Sequence, residues 1–352
     1  MSDQNTNAAT GGTRKISVSV SHLEQELRDD LSRRAEDLGF SVKYIDRHLM
    51  EKKTEDQADA GEKAQLEWLK DSEVILTSRG RHVEKCSDKL RWAADTYAGM
   101  DVYYPREDGT SILPHEGIFL TNASGVYGPT ISEHIIMALL MLWRREPEYI
   151  ECHREQTWGP RLELGSIMGS TFVVLGAGDI GTTFAKKARA LGAARIIGVS
   201  RTGRVRYPGV YDEMHGFTEL AGVLPEADAV VMSLPGTKET VGMMNMDMFR
   251  LMKKSAILVN VGRGLSVVQK DLVEALNTGI ISGAAVDVME KEPLPQGDPL
   301  WTAKNCVVTP HVAGNMTLKT TRQLIVDLFC RNLQHYVNGE RLENLMDLTR
   351  GY

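Results

Sequence analysis

One six-residue turn restricts this chain more than anything else in it. Gly176-Ala177-Gly178-Asp179-Ile180-Gly181 has the spacing G-x-G-x-x-G. The run TFVVL precedes it and TTFAKKARALGA follows. A lone glycine pattern is weak evidence, but between a strand and a helix it predicts a particular piece of backbone. Gly176 permits the tight turn. Gly178 lets backbone N–H groups approach a pyrophosphate at the positive end of the helix. Gly181 lets helix and strand pack closely. Gly176, Gly178, Asp179, Ile180 and Gly181 are therefore expected to bind a dinucleotide, against the plainer reading of a glycine-rich turn without a ligand.

The rest of the chain alternates in the same way. Apolar runs at 172–175, 196–199, 229–233, 256–260, 283–287 and 307–309 read as six strands, separated by helical patterns or loops. Six strands suit a doubly wound dinucleotide fold. Upstream, 15–20, 41–45, 74–77 and 117–121 read as strands, and 22–38 as a helix closed by Gly39. Strands alternating with helices argue for parallel sheets. A long helix is expected over 131–145, apolar on more than one face and suited to packing against another domain or subunit. The last helical stretch, 318–337, has no strand after it and is expected to return to the first domain. With 352 residues, two domains are the natural expectation. They are a discontinuous one from 14–125 plus 318–352, and a dinucleotide-binding one from 126–317. Residues 1–13 are polar, lack the apolar core of a signal peptide, and read as a disordered tail.

Charge and cysteines narrow the partners. Forty-one basic and 47 acidic side chains give a net charge of −6, so no basic footprint for nucleic acid is expected. No apolar stretch reaches the ~20 residues of a membrane helix. Cys86, Cys152, Cys306 and Cys330 are scattered, with no metal-ligand spacing. Reduced thiols in a cytoplasm, and no metal, are the expectation.

The end of the second strand bears on the choice of dinucleotide. An NAD site usually has an acid about 20 residues after the turn for the ribose 2′-hydroxyl. Here Ser200-Arg201-Thr202 stands there, with Arg204 and Arg206 beyond, and no acid before Asp212. An Arg and two hydroxyls suit a 2′-phosphate through charge-assisted hydrogen bonds. NADP is expected as the preferred cofactor, with NAD possible.

Three further motifs follow in order: Asn260-Val261-Gly262-Arg263-Gly264, then GAAVDVMEKEP from Gly283 to Pro293, then Thr309-Pro310-His311-Val312-Ala313-Gly314. With the glycine turn they resemble the D-isomer-specific 2-hydroxyacid dehydrogenase family. The resemblance covers nearly the whole chain and is densest over 171–314. The Ser200-Arg201-Thr202 segment resembles the NADP-type glyoxylate/hydroxypyruvate reductase branch. The implied fold is α/β, with two doubly wound parallel-sheet domains: a Rossmann dinucleotide-binding domain and a flavodoxin-like substrate domain. One departure is Asn122 to Tyr127, which lacks the common Pro-Gly-x-Asn form.

The resemblance also implies roles. Catalysis falls to Arg263, Glu292 and His311. Arg263 would grip the substrate carboxylate and polarise the carbonyl. His311 would exchange a proton with the substrate oxygen, and Glu292 would hydrogen-bond the imidazole and fix its tautomer. Leu234, Pro235 and Thr240 would pass the adenine and ribose. Asp287 would contact the nicotinamide carboxamide, with Val261 and Gly314 lining that region. In the first domain, backbone N–H groups of Arg79, Gly80 and Gly99 would bind the substrate carboxylate alongside Arg263 and His311. The implied activity is hydride exchange between NADP(H) and a small 2-oxo or 2-hydroxy carboxylic acid, in a homodimer. The competing expectation is a dinucleotide-sensing, co-repressor-like binding protein.

Overall fold

A computed structural model describes residues 13–51, 54–104 and 108–346. Residues 1–12 of the expected tail lie outside them. The chain divides into two compact units, Met1–Val126 with Met316–Tyr352, and Tyr127–Asn315.

The first unit begins β1 (Arg14–Ser19), α1 (Gln25–Glu36), β2 (Phe40–Tyr44), α2 (Ala60–Lys70), β3 (Val74–Thr77), β4 (Trp92–Asp95) and β5 (Phe119–Thr121). Its five strands are all parallel, in the order β2-β1-β3-β4-β5. That is the flavodoxin-like winding. Gly39 closes α1 from the left-handed region (φ 82°), donating to Glu36 O. The strand β4 has no counterpart in the sequence reading. Its residues WAAD are short and carry Ala and Asp, both poor strand formers.

The second unit runs α3 (Gly128–Trp143), α4 (Glu146–Arg154), β6 (Thr171–Leu175), α5 (Asp179–Ala190), β7 (Arg195–Ser200), β8 (Glu213–Gly216), α6 (Leu220–Val223), β9 (Ala229–Met232), α7 (Met246–Leu251), β10 (Ile257–Asn260), α8 (Gln269–Thr278), β11 (Gly283–Val286) and β12 (Cys306–Val308). The seven strands are parallel, in the order β12-β11-β10-β9-β6-β7-β8. The seventh, β8, is an edge strand of sequence EMHG, too polar to stand out as apolar periodicity. Both faces of β6 are buried, which is why it reads as a continuous apolar run. Val173 and Leu175 join the core under α6–α8. Phe172 packs edge-on against Phe184 of α5 and Trp143 of α3. The helix α3 starts three residues earlier than expected, with Pro129 in its first turn.

The last helix among the described residues, α9 (Lys319–Asn338), belongs to the first unit. Val326, Phe329, Cys330 and Leu333 share a core with Ile16, Val18, Leu27 and Leu31. Trp92 of β4 stacks on Phe329 at 5.2 Å and donates its indole N–H to Thr121 Oγ1. No helix among the described residues is long and apolar enough to cross a membrane.

The alternating sequence of β1 hides a second buried face. Ser17 and Ser19 are as buried as Ile16 and Val18. Ser17 pairs with Ser72 at 2.8 Å, and Ser19 with His82 Nδ1 at 2.8 Å. Burial pushes the His82 imidazole down to about 4 from 6.5. Above pH 6.5 the ring is neutral in both states. Between 6.5 and 4 the unfolded chain takes up a proton that the folded chain refuses, so stability falls as pH falls and levels off below 4. The loss is about 3 kcal/mol from this residue. Asparagine suits its left-handed backbone (φ 64°). His82→Asn should flatten unfolding stability measured from pH 6.5 to 4; an equally steep curve would rule His82 out.

Candidate active site

The strand order of the second unit reverses at β6, which has β9 on one side and β7 on the other. In open α/β sheets such a switch point opens a crevice at the carboxyl ends of the strands. The glycine turn sits there, and its glycines answer three different demands. Gly176 adopts φ 100°, and a Cβ would lie 2.8 Å from Ser233 O. At Gly181 a Cβ would lie 2.2 Å from Gly176 O, so α5 can approach β6 only without one. Gly178 is the N-cap of α5, without a side-chain cap, and a Cβ there meets nothing within 4 Å. The first-turn amides of a helix lack intrahelical partners. An open approach to an uncapped helix start fits the pyrophosphate of a dinucleotide. The carboxylate of Asp179 turns aside, accepting the backbone N–H of Gly128 at the start of α3, and burial raises its pKa. What Asp179 and Ile180 offer a ligand at this turn is backbone.

Beyond β7, Ser200 is half-buried and Arg201 and Thr202 are exposed. The first acid afterwards, Asp212, accepts the Ile196 amide at 2.7 Å and pairs with Arg189. Ile196 lies at the opening end of β7, so this carboxylate serves the far edge of the sheet. No acid stands among residues 200–206.

The catalytic candidates follow three neighbouring strands, Arg263 after β10, Glu292 after β11 and His311 after β12. Asn260 fixes the first turn. Its Oδ1 accepts the Gly262 amide at 3.0 Å and its Nδ2 donates to Arg263 O at 3.1 Å. Gly262 and Gly264 allow this turn to press against the backbone at Leu234 and Met289, where a Cβ would come within 2.6 and 1.9 Å. The Arg263 side chain emerges half-buried. Glu292 Oε1 accepts the Met289 amide at 3.1 Å, and its Oε2 lies 2.7 Å from His311 Nδ1. Neighbouring strands thus join two of the three residues in a direct contact, although 19 positions separate them.

Several expected cofactor contacts have other work. Asp287 is 2% exposed. Its carboxylate accepts the Val312 and Ala313 amides, each at 2.9 Å, and the Thr309 hydroxyl at 2.6 Å. It holds the loop that carries His311 rather than presenting itself to a nicotinamide. Leu234 is packed into the core. The Thr240 hydroxyl donates to Pro235 O at 2.7 Å and accepts the Thr237 amide, which closes the turn after β9. Pro235 is exposed beside it. Val261 is buried, and Gly314 leaves room for Ile131, whose Cδ1 would lie 2.9 Å from a Cβ.

In the first unit the expected carboxylate-binding amides already hold a carboxylate. Arg79 and Gly80 adopt φ 53° and 66°. Their N–H groups donate to Asp95 Oδ1 and Oδ2 at 3.2 and 2.9 Å. The Tyr97 amide and the Tyr103 hydroxyl complete the cage at 2.9 and 2.8 Å. Burial raises the Asp95 pKa against the pull of these donors. The anion in this nest is therefore internal, where Arg79 and Gly80 were expected to donate to a substrate. Sequence reading missed Asp95; its only signal was an acid inside a short apolar run. The Gly99 backbone is half-buried in the neighbouring loop.

Residues 136–313 match the family described as D-isomer specific 2-hydroxyacid dehydrogenase, NAD binding domain. The chain is 31% identical over 315 residues to a glyoxylate reductase of Korarchaeum cryptofilum, covering 86% of this chain and 91% of that one. It is 34% identical over 288 residues to a glyoxylate reductase of Thermococcus kodakarensis, covering 78% and 83%. Among solved structures, a D-isomer specific 2-hydroxyacid dehydrogenase family protein of Aeromonas salmonicida is similar with a TM-score of 0.76 at 28% identity. That match covers 96% of this chain and all of the other.

Proposed function

The chain belongs to the D-isomer specific 2-hydroxyacid dehydrogenase family, and from that premise we propose that it is an NADP-preferring reductase of small 2-oxo carboxylic acids. Its substrates are of the glyoxylate or hydroxypyruvate type, or somewhat longer, and where the product is chiral it is the D-2-hydroxy acid. The observation that carries this reading is the 2.7 Å contact of Glu292 with His311, beside the strand end that carries Arg263. The relatives named glyoxylate reductase support the substrate class.

Each residue has a part set by its chemistry. Arg263 takes the substrate carboxylate in its planar fork and lends positive charge to the adjacent carbonyl oxygen. His311 gives its Nε2 proton to that oxygen during reduction and recovers one from solvent afterwards. Glu292 holds Nδ1, which leaves Nε2 as the working nitrogen and balances the charge of the imidazolium. When bound, the nicotinamide supplies the hydride that reduces the carbonyl carbon. The backbone of Gly176, Gly178, Asp179, Ile180 and Gly181 would hold the cofactor's pyrophosphate, and Ser200, Arg201 and Thr202 would take its 2′-phosphate. The unpaired state of all four cysteines supports a reducing, cytoplasmic setting. The exposed Met137 and Leu140 on α3 support a homodimer through the second unit.

A kinetic panel of 2-oxo acids with NADPH and with NADH tests the proposal. Glyoxylate and hydroxypyruvate should be reduced, with kcat/KM at least tenfold higher for NADPH. A higher kcat/KM with NADH would overturn the cofactor assignment. Binding of NADPH without turnover of any 2-oxo acid would favour the dinucleotide-sensing, co-repressor-like protein.

A further inference from the structure

The loop that carries His311 is tied to α3 by a side chain outside the family motifs. From Ile135 onward α3 is wholly apolar, and His134 stands at the start of that run with its side chain only 14% exposed. A buried imidazole needs a partner to offset its desolvation. His134 Nε2 lies 3.2 Å from Thr309 Oγ1 and 4.0 Å from Asp287 Oδ1.

The direction of these bonds follows from counting hydrogens. Asp287 accepts two backbone N–H groups, and the 2.6 Å bond from Thr309 to Asp287 uses the hydrogen of the hydroxyl. A hydroxyl has one hydrogen, so the hydrogen shared with His134 comes from the imidazole. The chain of donors runs from His134 Nε2–H to Thr309 Oγ1 to Asp287 Oδ1. Burial pushes the His134 pKa down while the nearby Asp287 charge pulls it up; either protonation state with a hydrogen on Nε2 keeps the order. Asp287 in turn holds Val312 and Ala313, and the Asp287 carbonyl accepts the His311 amide at 2.9 Å. Between them His311 sits in the left-handed region (φ 54°), an unfavourable backbone for a residue other than glycine.

We infer that His134 is a positioning residue for His311: by donating to Thr309 it commits that hydroxyl to Asp287, and so keeps the 309–313 loop in the conformation from which the His311 ring meets Glu292. The polar contacts of the His134 ring are with Thr309 and Asp287. The consequence for turnover rests on the reductase reading proposed above; the consequence for the loop does not.

The test uses His134→Leu, His134→Gln, Thr309→Val and the double variant His134→Leu/Thr309→Val. His134→Leu should lower kcat about tenfold, the size of one buried hydrogen bond, and leave the KM for NADPH within about twofold. His134→Gln, whose Nε2–H can reach the same hydroxyl, should restore kcat to within about threefold. In the Thr309→Val background His134→Leu should cost nothing further. Amide hydrogen exchange at Val312 and Ala313 should quicken about tenfold in His134→Leu and not in His134→Gln. The inference is overturned if His134→Leu leaves exchange at these amides unchanged, if glutamine fails to rescue, or if the two single losses multiply in the double variant. A wild-type protein that reduces no 2-oxo acid would remove the reductase reading, and the exchange rates alone would then decide the role of His134.

Discussion

His311→Ala should lower kcat for 2-oxo acid reduction by about a hundredfold to ten-thousandfold, the usual weight of a positioned general acid. The ring is part-exposed, and its Nδ1 is held by Glu292 at 2.7 Å. Removing it empties no core, so the melting temperature should stay within a few degrees. The affinity for NADPH, measured by fluorescence titration, should also hold, because the glycine turn is untouched. Glu292→Gln makes a gentler variant. It preserves the shape and the bond to the Met289 amide but removes the charge beside the imidazole. Its kcat should fall between those of the wild type and His311→Ala. Near-normal turnover by His311→Ala would remove the proposed acid and the mechanism with it.

Arg263→Ala should lower kcat/KM about a hundredfold to a thousandfold, equivalent to about 3–4 kcal/mol of lost transition-state stabilisation. The side chain is proposed to act both on the substrate carboxylate and on the oxygen where charge develops, so kcat and KM should both suffer. The turn itself should survive, since Asn260 bonds to the Arg263 carbonyl rather than to its side chain. Arg263→Lys should recover little, because an ammonium cannot reproduce a planar, two-pronged contact. A lysine variant with full activity would show that Arg263 supplies only a point charge.

The two units differed in how much of them could be read in advance. In the second, Gly176, Gly178 and Gly181 stand where backbone approach forbids a Cβ or leaves a helix start open, and the strands other than the polar edge strand β8 carry apolar runs. In the first, β4 passed unread, and the loop at Arg79 and Gly80 was read for a substrate anion with no sign of an internal one. The amides there do bind a carboxylate, but it comes from Asp95, which lies 15 residues from Gly80. Asp287 was similarly drawn toward the ligand by its motif, whereas three donors from the next strand's loop enclose it.

By itself the sequence determined the α/β class, the glycine turn between strand and helix, Arg263, Glu292 and His311 as the catalytic candidates, and the lack of an acid among residues 200–206. These are local properties, because a strand–turn–helix unit or a motif at a strand end is specified by residues adjacent in the chain. Only the tertiary structure decided which buried polar group answers which. Glu292 reaches His311 because β11 and β12 are neighbours in the sheet, Asp95 fills the nest at Arg79 and Gly80 because β3 lies beside β4, and His134 finds Thr309 across 175 positions. Buried donors and acceptors must be paired wherever the fold brings them, and those partners are set by strand order rather than by distance along the chain.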